Sequence, residues 1–172
     1  MTMNEKLNTN KQRAFTLVEV MVAMVIFSVG LLGLAGMQSL GMTSNQTAYL
    51  RTIAMQQAYN MSDRMRSNSS GVTAGNYDAI AGPLALGTNC LTTTCAPTLI
   101  RDFDHYEWNT NNAALLPQGQ GTVTNVGGVF TICVMWNELN LPAAVLPSCT
   151  GVPPYDPTTQ LKFYALAYTP AP

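Results

Sequence analysis

The sequence predicts an α+β protein: one long N-terminal helix packed on a small antiparallel β-sheet, with loops stapled by disulfides. Three observations carry that expectation. An apolar run from Phe15 to Met37 is interrupted by a single charge, Glu19. Apolar or small residues then recur at Leu40, Leu50, Ala54, Ala58, Met61 and Met65, spacings compatible with one helical face. Alternating apolar segments of strand type come only later, in the same part of the chain as the four cysteines.

Composition narrows the class of protein. The 172 residues suit one modest globular domain plus an appendage. Only 10% of them are charged, against roughly 25% in an ordinary soluble domain. This is poor composition for a free cytoplasmic protein, and it suits a chain that lives in lipid or packs against other chains. The formal net charge of −1 supplies no basic field, so nucleic acid is not an expected partner.

Residues 1–14 are polar and net positive, with Lys6, Lys11 and Arg13 against Glu5. The 23 residues from Phe15 to Met37 follow directly. At 1.5 Å rise they make roughly 34 Å of helix, enough to cross a hydrocarbon core of about 30 Å. Membrane lipid is therefore an expected partner, and the basic side is expected to stay cytoplasmic. Glu19 is the anomaly, because a carboxylate in a spanning helix costs on the order of 2.5–3.5 kcal/mol. It lies one helical turn after Phe15. A cut before Phe15 would create an α-amino group beside it, able to pair within the chain or with the glutamate of a neighbouring subunit. The bland alternative keeps Glu19 at the headgroup level.

The run Arg13-Ala14-Phe15-Thr16-Leu17-Val18-Glu19-Val20 resembles the prepilin signature of the type IV pilins: a basic leader, a small residue, Phe-Thr-Leu-x-Glu and an apolar helix. The resemblance implies the type IV pilin-like fold, cleavage by a prepilin peptidase between Ala14 and Phe15, methylation of the new amine, and an assembly role for Glu19. Ala14 departs from the glycine usual before the cut. A competing interpretation takes Gly33-Leu34-Ala35 as a signal-peptidase site, which makes residues 1–35 a secretory signal.

The remaining elements follow in order. The first helix is expected from Phe15 to about Ser67, with Gln56, Asn60, Asp63 and Ser67 on its polar side and Asn68-Ser69-Ser70-Gly71 as terminator. Gly30, Gly33, Gly36 and Gly41 weaken it and permit close packing or local melting. Residues 71–97 are expected as loop. A helix starts at Pro97, with Leu99, Phe103 and Tyr106 as its apolar face, and ends near Pro117 and Gly119. Val129–Trp136 alternates, with Phe130, Ile132, Val134 and Trp136 on one face. Thr122–Val126 is its hairpin partner through Gly127-Gly128, and Leu161–Tyr168 is a third strand. The proline-rich stretch Leu141–Pro157 separates the last two strands as a loop. Cys90, Cys95, Cys133 and Cys149 all follow the apolar run, as expected for two disulfides in an oxidising compartment. Three connectivities are open, and the sequential one is favoured.

No catalytic constellation is found. His105 lies among Asp102, Asp104 and Glu107, but on a helix these acids do not converge on it, and a solvated face is expected. No cofactor, metal site or enzymatic activity is expected. Arg64 and Arg66 complement the dipole of the long helix as a cap or surface contact.

Several segments further resemble a family of minor type IV pilins, the type IV pilus modification proteins: Phe27–Gly36, Ala58–Asn68, Ala74–Tyr77, Cys95–Trp108, Gly119–Val123 and Phe130–Trp136. That resemblance implies a division into a leader (1–14), a transmembrane and assembly half-helix (15–41), an amphipathic half-helix (42–70) and a globular region (71–172). It implies storage in the inner membrane as a single pass with the C-terminal region periplasmic, then transfer to the pilus or cell surface, with a bearing on adhesion. The implied partners are other pilins and minor pilins, the prepilin peptidase and the inner-membrane pilus assembly machinery. A type II secretion pseudopilin and a signal-anchored periplasmic domain are the alternatives.

Overall fold

A computed structural model describes residues 16–137 and 161–170. It has a long helix α1 (Leu17–Ser67), a short helix α2 (Ser69–Thr73), strand β1 (Ala79–Ile80), helix α3 (Pro97–Leu115), and strands β2 (Gln120–Val126), β3 (Val129–Asn137) and β4 (Leu161–Tyr168). The strands form one antiparallel sheet in the order β1-β2-β3-β4. This is the long helix on a small antiparallel sheet that the sequence predicts, a pilin-like α+β fold. The chain divides into two compact units between Ser44 and Asn45.

In the first unit every described residue of α1 before Ser44 is exposed, from Leu17 at 81% to Met42 at 74%. A helix apolar all round requires lipid or other protein about it.

The second unit has its own core. Leu50, Ile53, Ala54, Ala58, Met61 and Met65 of α1 are buried with Val123 of β2 and Phe130, Ile132, Val134 and Trp136 of β3. Ala54 and Ala58 are wholly buried, and small side chains there let helix and sheet approach closely. Gln56, Asn60, Asp63 and Ser67 are exposed, as their spacing predicts. Tyr59 hydrogen-bonds Tyr164 of β4, and the Arg66 guanidinium lies 5.4 Å from the centre of the Tyr168 ring. At the β2–β3 turn Gly127 and Gly128 both take positive φ, 62° and 85°, the conformation that a two-residue hairpin of this hand demands.

Two expectations need correction. The terminator at Asn68 holds for α1, but the segment after it is not all loop. Ser69–Thr73 forms α2, and Ala79–Ile80 pairs with Val123 and Thr124 of β2. The strand is too short to leave a periodicity.

The second concerns α3, whose apolar face is not Leu99, Phe103 and Tyr106. Leu99 is exposed and Tyr106 half-buried, while Phe103, Asp104, His105, Trp108, Asn109 and Asn112 are buried. Polar residues occupy the packed face because Asp104, His105 and Asn109 each meet a specific partner, described below. In β3 the face Phe130, Ile132, Val134 and Trp136 is buried as its alternation predicts, and Cys133 and Met135 are buried on the other side as well.

The contact of α3 with the sheet is close at Gly121. A Cβ there would collide with the Trp108 ring and with Asn112. Because β1 is only two residues long and pairs with Val123 and Thr124, Gly121 has no strand on that side among the described residues. The Asn109 amide takes its place: Oδ1 accepts from Gly121 N–H at 2.7 Å and Nδ2 donates to its carbonyl at 3.3 Å.

Candidate functional site

The exposed helix of the first unit carries the sequence-predicted site residues that are described there. Its first turn is built by Thr16, whose Oγ1 accepts from the Glu19 N–H at 3.3 Å while its carbonyl accepts from Glu19 and Val20 at 3.1 and 3.3 Å. Thr16 is thus the N-cap of α1 and Glu19 stands at its third helical position, a Thr-x-x-Glu capping-box pattern. The macrodipole favours an acid there, which gives Glu19 a local reason to occur in an apolar helix. Ala23, one turn on, is small and leaves a shallow notch bounded by Glu19, Val20, Met24 and Phe27. The notch opens on the helix surface. It is an open surface feature, not an enclosed pocket. Ala14 and Phe15 lie outside the described residues.

Cys90 and Cys95 are bonded to each other. The short loop they close is organised by Asn89, whose Oδ1 accepts from Leu91 N–H and whose carbonyl accepts from the hydroxyls of Thr92 and Thr93. Cys133, in β3, is also disulfide-bonded. Cys149 lies outside the described residues.

The acids and histidine of α3 are not a solvated face. Arg64 reaches from the last turns of α1 to Asp104 Oδ1 at 3.1 Å and Glu107 Oε2 at 2.8 Å, and its Nε donates to Asn60 Oδ1. It is an inter-helix tie, not a dipole cap. The Tyr77 hydroxyl donates to Asp104 Oδ2 at 2.6 Å, and the Asn68 amide donates to the Tyr77 oxygen and to the Pro97 carbonyl. Burial, reinforced by the carboxylate it donates to, pushes the Tyr77 phenol far above its ordinary range. A phenol held protonated between an acid and an amide is a structural donor.

His105 Nε2 lies 2.6 Å from the Gly82 carbonyl oxygen. A carbonyl only accepts, so this nitrogen carries the proton and pins the loop after β1. Asp102 pairs with its neighbour Arg101 at 3.1 Å. Asp104, His105 and Glu107 are each occupied with another part of the fold, and among the described residues no three His, Cys, Asp or Glu side chains gather as a metal site.

Compared with family models, residues 9–35 match the prokaryotic N-terminal methylation motif. This is a type IV prepilin-like N-terminus. The match supports a type IV pilin or pseudopilin family, whose members are structural subunits, and it implies interaction with other pilins and with the prepilin peptidase. No curated protein and no solved structure matches the chain. Among the described residues one helix, α1, is long and apolar enough to cross a membrane. With the methylation motif it points to a membrane-anchored protein. Thr16 is the residue of this site that residue-by-residue sequence reasoning passed over. Its signal is present in the Thr16-x-x-Glu19 spacing.

Proposed function

We propose that the chain is a minor type IV pilin of the pilus modification (PilV) kind. It is stored in the inner membrane with residues 1–14 cytoplasmic and the region after α1 periplasmic. The peptidase cuts between Ala14 and Phe15, the new amine of Phe15 is methylated, and the subunit enters the pilus or primes its assembly with other minor pilins. The observation that carries this is the fully exposed apolar start of α1 bearing one carboxylate, Glu19, four residues after Phe15. Such a surface needs apolar helices around it, and such a charge needs a cation. The α-amino group of a neighbouring Phe15 supplies that cation, sets axial register and offsets part of the cost of the carboxylate in an apolar assembly. The basic leader favours the cytoplasmic placement of the N-terminus.

Intact-mass measurement of the membrane form tests the processing step: a chain beginning at methylated Phe15 is expected, and an uncut chain or one beginning at Gly36 refutes it. Glu19→Val tests the assembly step. The variant is expected to insert into the membrane as well as the parent and to be depleted in sheared pilus fractions. Normal incorporation would refute the charge-pairing role. Enrichment in a secretion pseudopilus and absence from pili would transfer the same physics to the pseudopilin alternative.

A further inference from the structure

The Cys90–Cys95 disulfide lies on the surface of the second unit. Residues 83–89, 91–94 and 96–99 around it are all exposed, and the two cysteines are half-buried. Cys133, whose sulfur is also bonded, is by contrast wholly buried in β3. No charged side chain occurs between Asp78 and Arg101, so this run carries no carboxylate to repel an incoming thiolate. The two sulfurs also differ in their surroundings. Cys90 Sγ lies 3.6 Å from the Leu99 carbonyl oxygen and 3.9 Å from that of Thr88. A bonded sulfur has no proton to donate, so these oxygens serve as acceptors only for a reduced Cys90 thiol. Cys95 instead immediately precedes Ala96, the N-cap of the 19-residue α3, and no side chain caps that N-terminus. The helix dipole there favours negative charge on a neighbouring sulfur.

We propose that Cys90–Cys95 is a site of thiol–disulfide exchange for a thiolate reductant, with Cys90 as the sulfur attacked and Cys95 as the leaving thiolate. In the first step a bond forms between the reductant sulfur and Cys90 Sγ while the Cys90–Cys95 bond breaks. The electron pair of that bond leaves on Cys95, beside the start of α3. A second reductant thiolate then attacks the reductant sulfur of the mixed disulfide. Cys90 departs, takes a proton and donates it to the carbonyl oxygens beside it. Two reductant thiols end as a disulfide and the loop ends as two thiols, so two electrons have passed to the loop. The step is reversible, because the Cys95 thiolate can attack the mixed disulfide and close the ring again. Asn89 keeps the ends in reach: its Oδ1 accepts from Leu91 N–H at 2.9 Å, and its carbonyl accepts from the Thr92 and Thr93 hydroxyls at 3.2 and 3.0 Å. None of these bonds involves a sulfur, so they survive reduction.

The test uses the oxidised full chain in lipid nanodiscs, exposed to reduced glutathione, quenched with N-ethylmaleimide at successive times and mapped by peptide mass. Glutathione on Cys90 with maleimide on Cys95 is expected to appear while Cys133 is still unmodified. Modification of Cys133 as early as the loop overturns the proposal, as does the lack of any glutathione adduct on the loop. An adduct carried mainly or equally by Cys95 overturns the assigned roles of the two sulfurs. The single variants Cys90→Ser and Cys95→Ser each leave one loop thiol, whose alkylation by iodoacetamide is followed against pH. The Cys95 thiol is expected to reach half its maximal rate at the lower pH. Its thiolate fraction at pH 7 should exceed that of Cys90 by about fivefold, the size of a helix-terminus effect at a surface. Coincident pH profiles refute the asymmetry, and the glutathione map on the unsubstituted chain decides the exchange itself without any variant.

Discussion

Replacing Asp104 by alanine should unfasten the end of α1 from α3. The carboxylate accepts from Arg64 and from Tyr77, and its side chain is 9% exposed. Its removal leaves the Tyr77 hydroxyl buried without its acceptor, a loss of about 1–3 kcal/mol. It also strips Arg64 of its better-buried partner. Breaking a fully buried ion pair costs about 3–5 kcal/mol. Here Arg64 is 20% exposed and keeps Glu107, which is 35% exposed, so solvent and the second acid reduce that share to about 1 kcal/mol. The sum is a destabilisation of about 2–4 kcal/mol.

Urea unfolding of the second unit, residues 45–172, monitored through the buried Trp108 and Trp136, measures it. At a mid-range slope of about 2 kcal/mol per molar, the midpoint falls by about 1–2 M. Asp104→Asn, which keeps an acceptor for Tyr77, should lose less. A double-mutant cycle with Arg64→Met should show a coupling of about 0.5–3 kcal/mol. A loss under 0.5 kcal/mol for Asp104→Ala, or strict additivity in the cycle, would refute the tie.

The close approach at Gly121 predicts that Gly121→Ala forces the Trp108 ring off the sheet, costing about 1–3 kcal/mol and shifting Trp108 emission to the red. Removing the Cys90–Cys95 bond by paired serine substitutions should cost about 2 kcal/mol in the chain-entropy account, seen as a lower thermal midpoint. For Tyr77 the folded-state value is raised above the ordinary phenol value of 10.0. Its contribution is therefore complete below pH 10 and is lost as the pH rises toward the folded-state value, because the unfolded chain ionises first. Unfolding midpoints between pH 9 and pH 11.5 should fall more steeply for the parent than for Tyr77→Phe; parallel slopes would contradict the buried phenol.

Some of this molecule is written in its local sequence. The apolar run after Phe15, the polar terminator at Asn68, the proline that opens α3 and the Gly127-Gly128 turn each act within a few residues. Partition into lipid, helix termination and hairpin chirality are short-range effects, so those elements appear where the sequence predicts them. The alternation in β3 and the stripe of α1 after Tyr49 were readable for the same reason: one element's periodicity reports which side it buries.

The remainder depended on which elements meet. Asp104 and His105 look like solvated charge until Arg64, forty positions earlier, and the Gly82 carbonyl are brought against them. Asn109 looks like an ordinary polar helix residue until a two-residue β1 stops short of Gly121 and the Asn109 amide takes over on that side. Burial of a polar group depends on a partner able to satisfy it, and that partner is distant in the chain. The sequence by itself determined a membrane-seeking helix with one acid at its head and a sheet-bearing region behind it. Only the tertiary structure decided which polar residues face inward, because each such choice is made by two segments together.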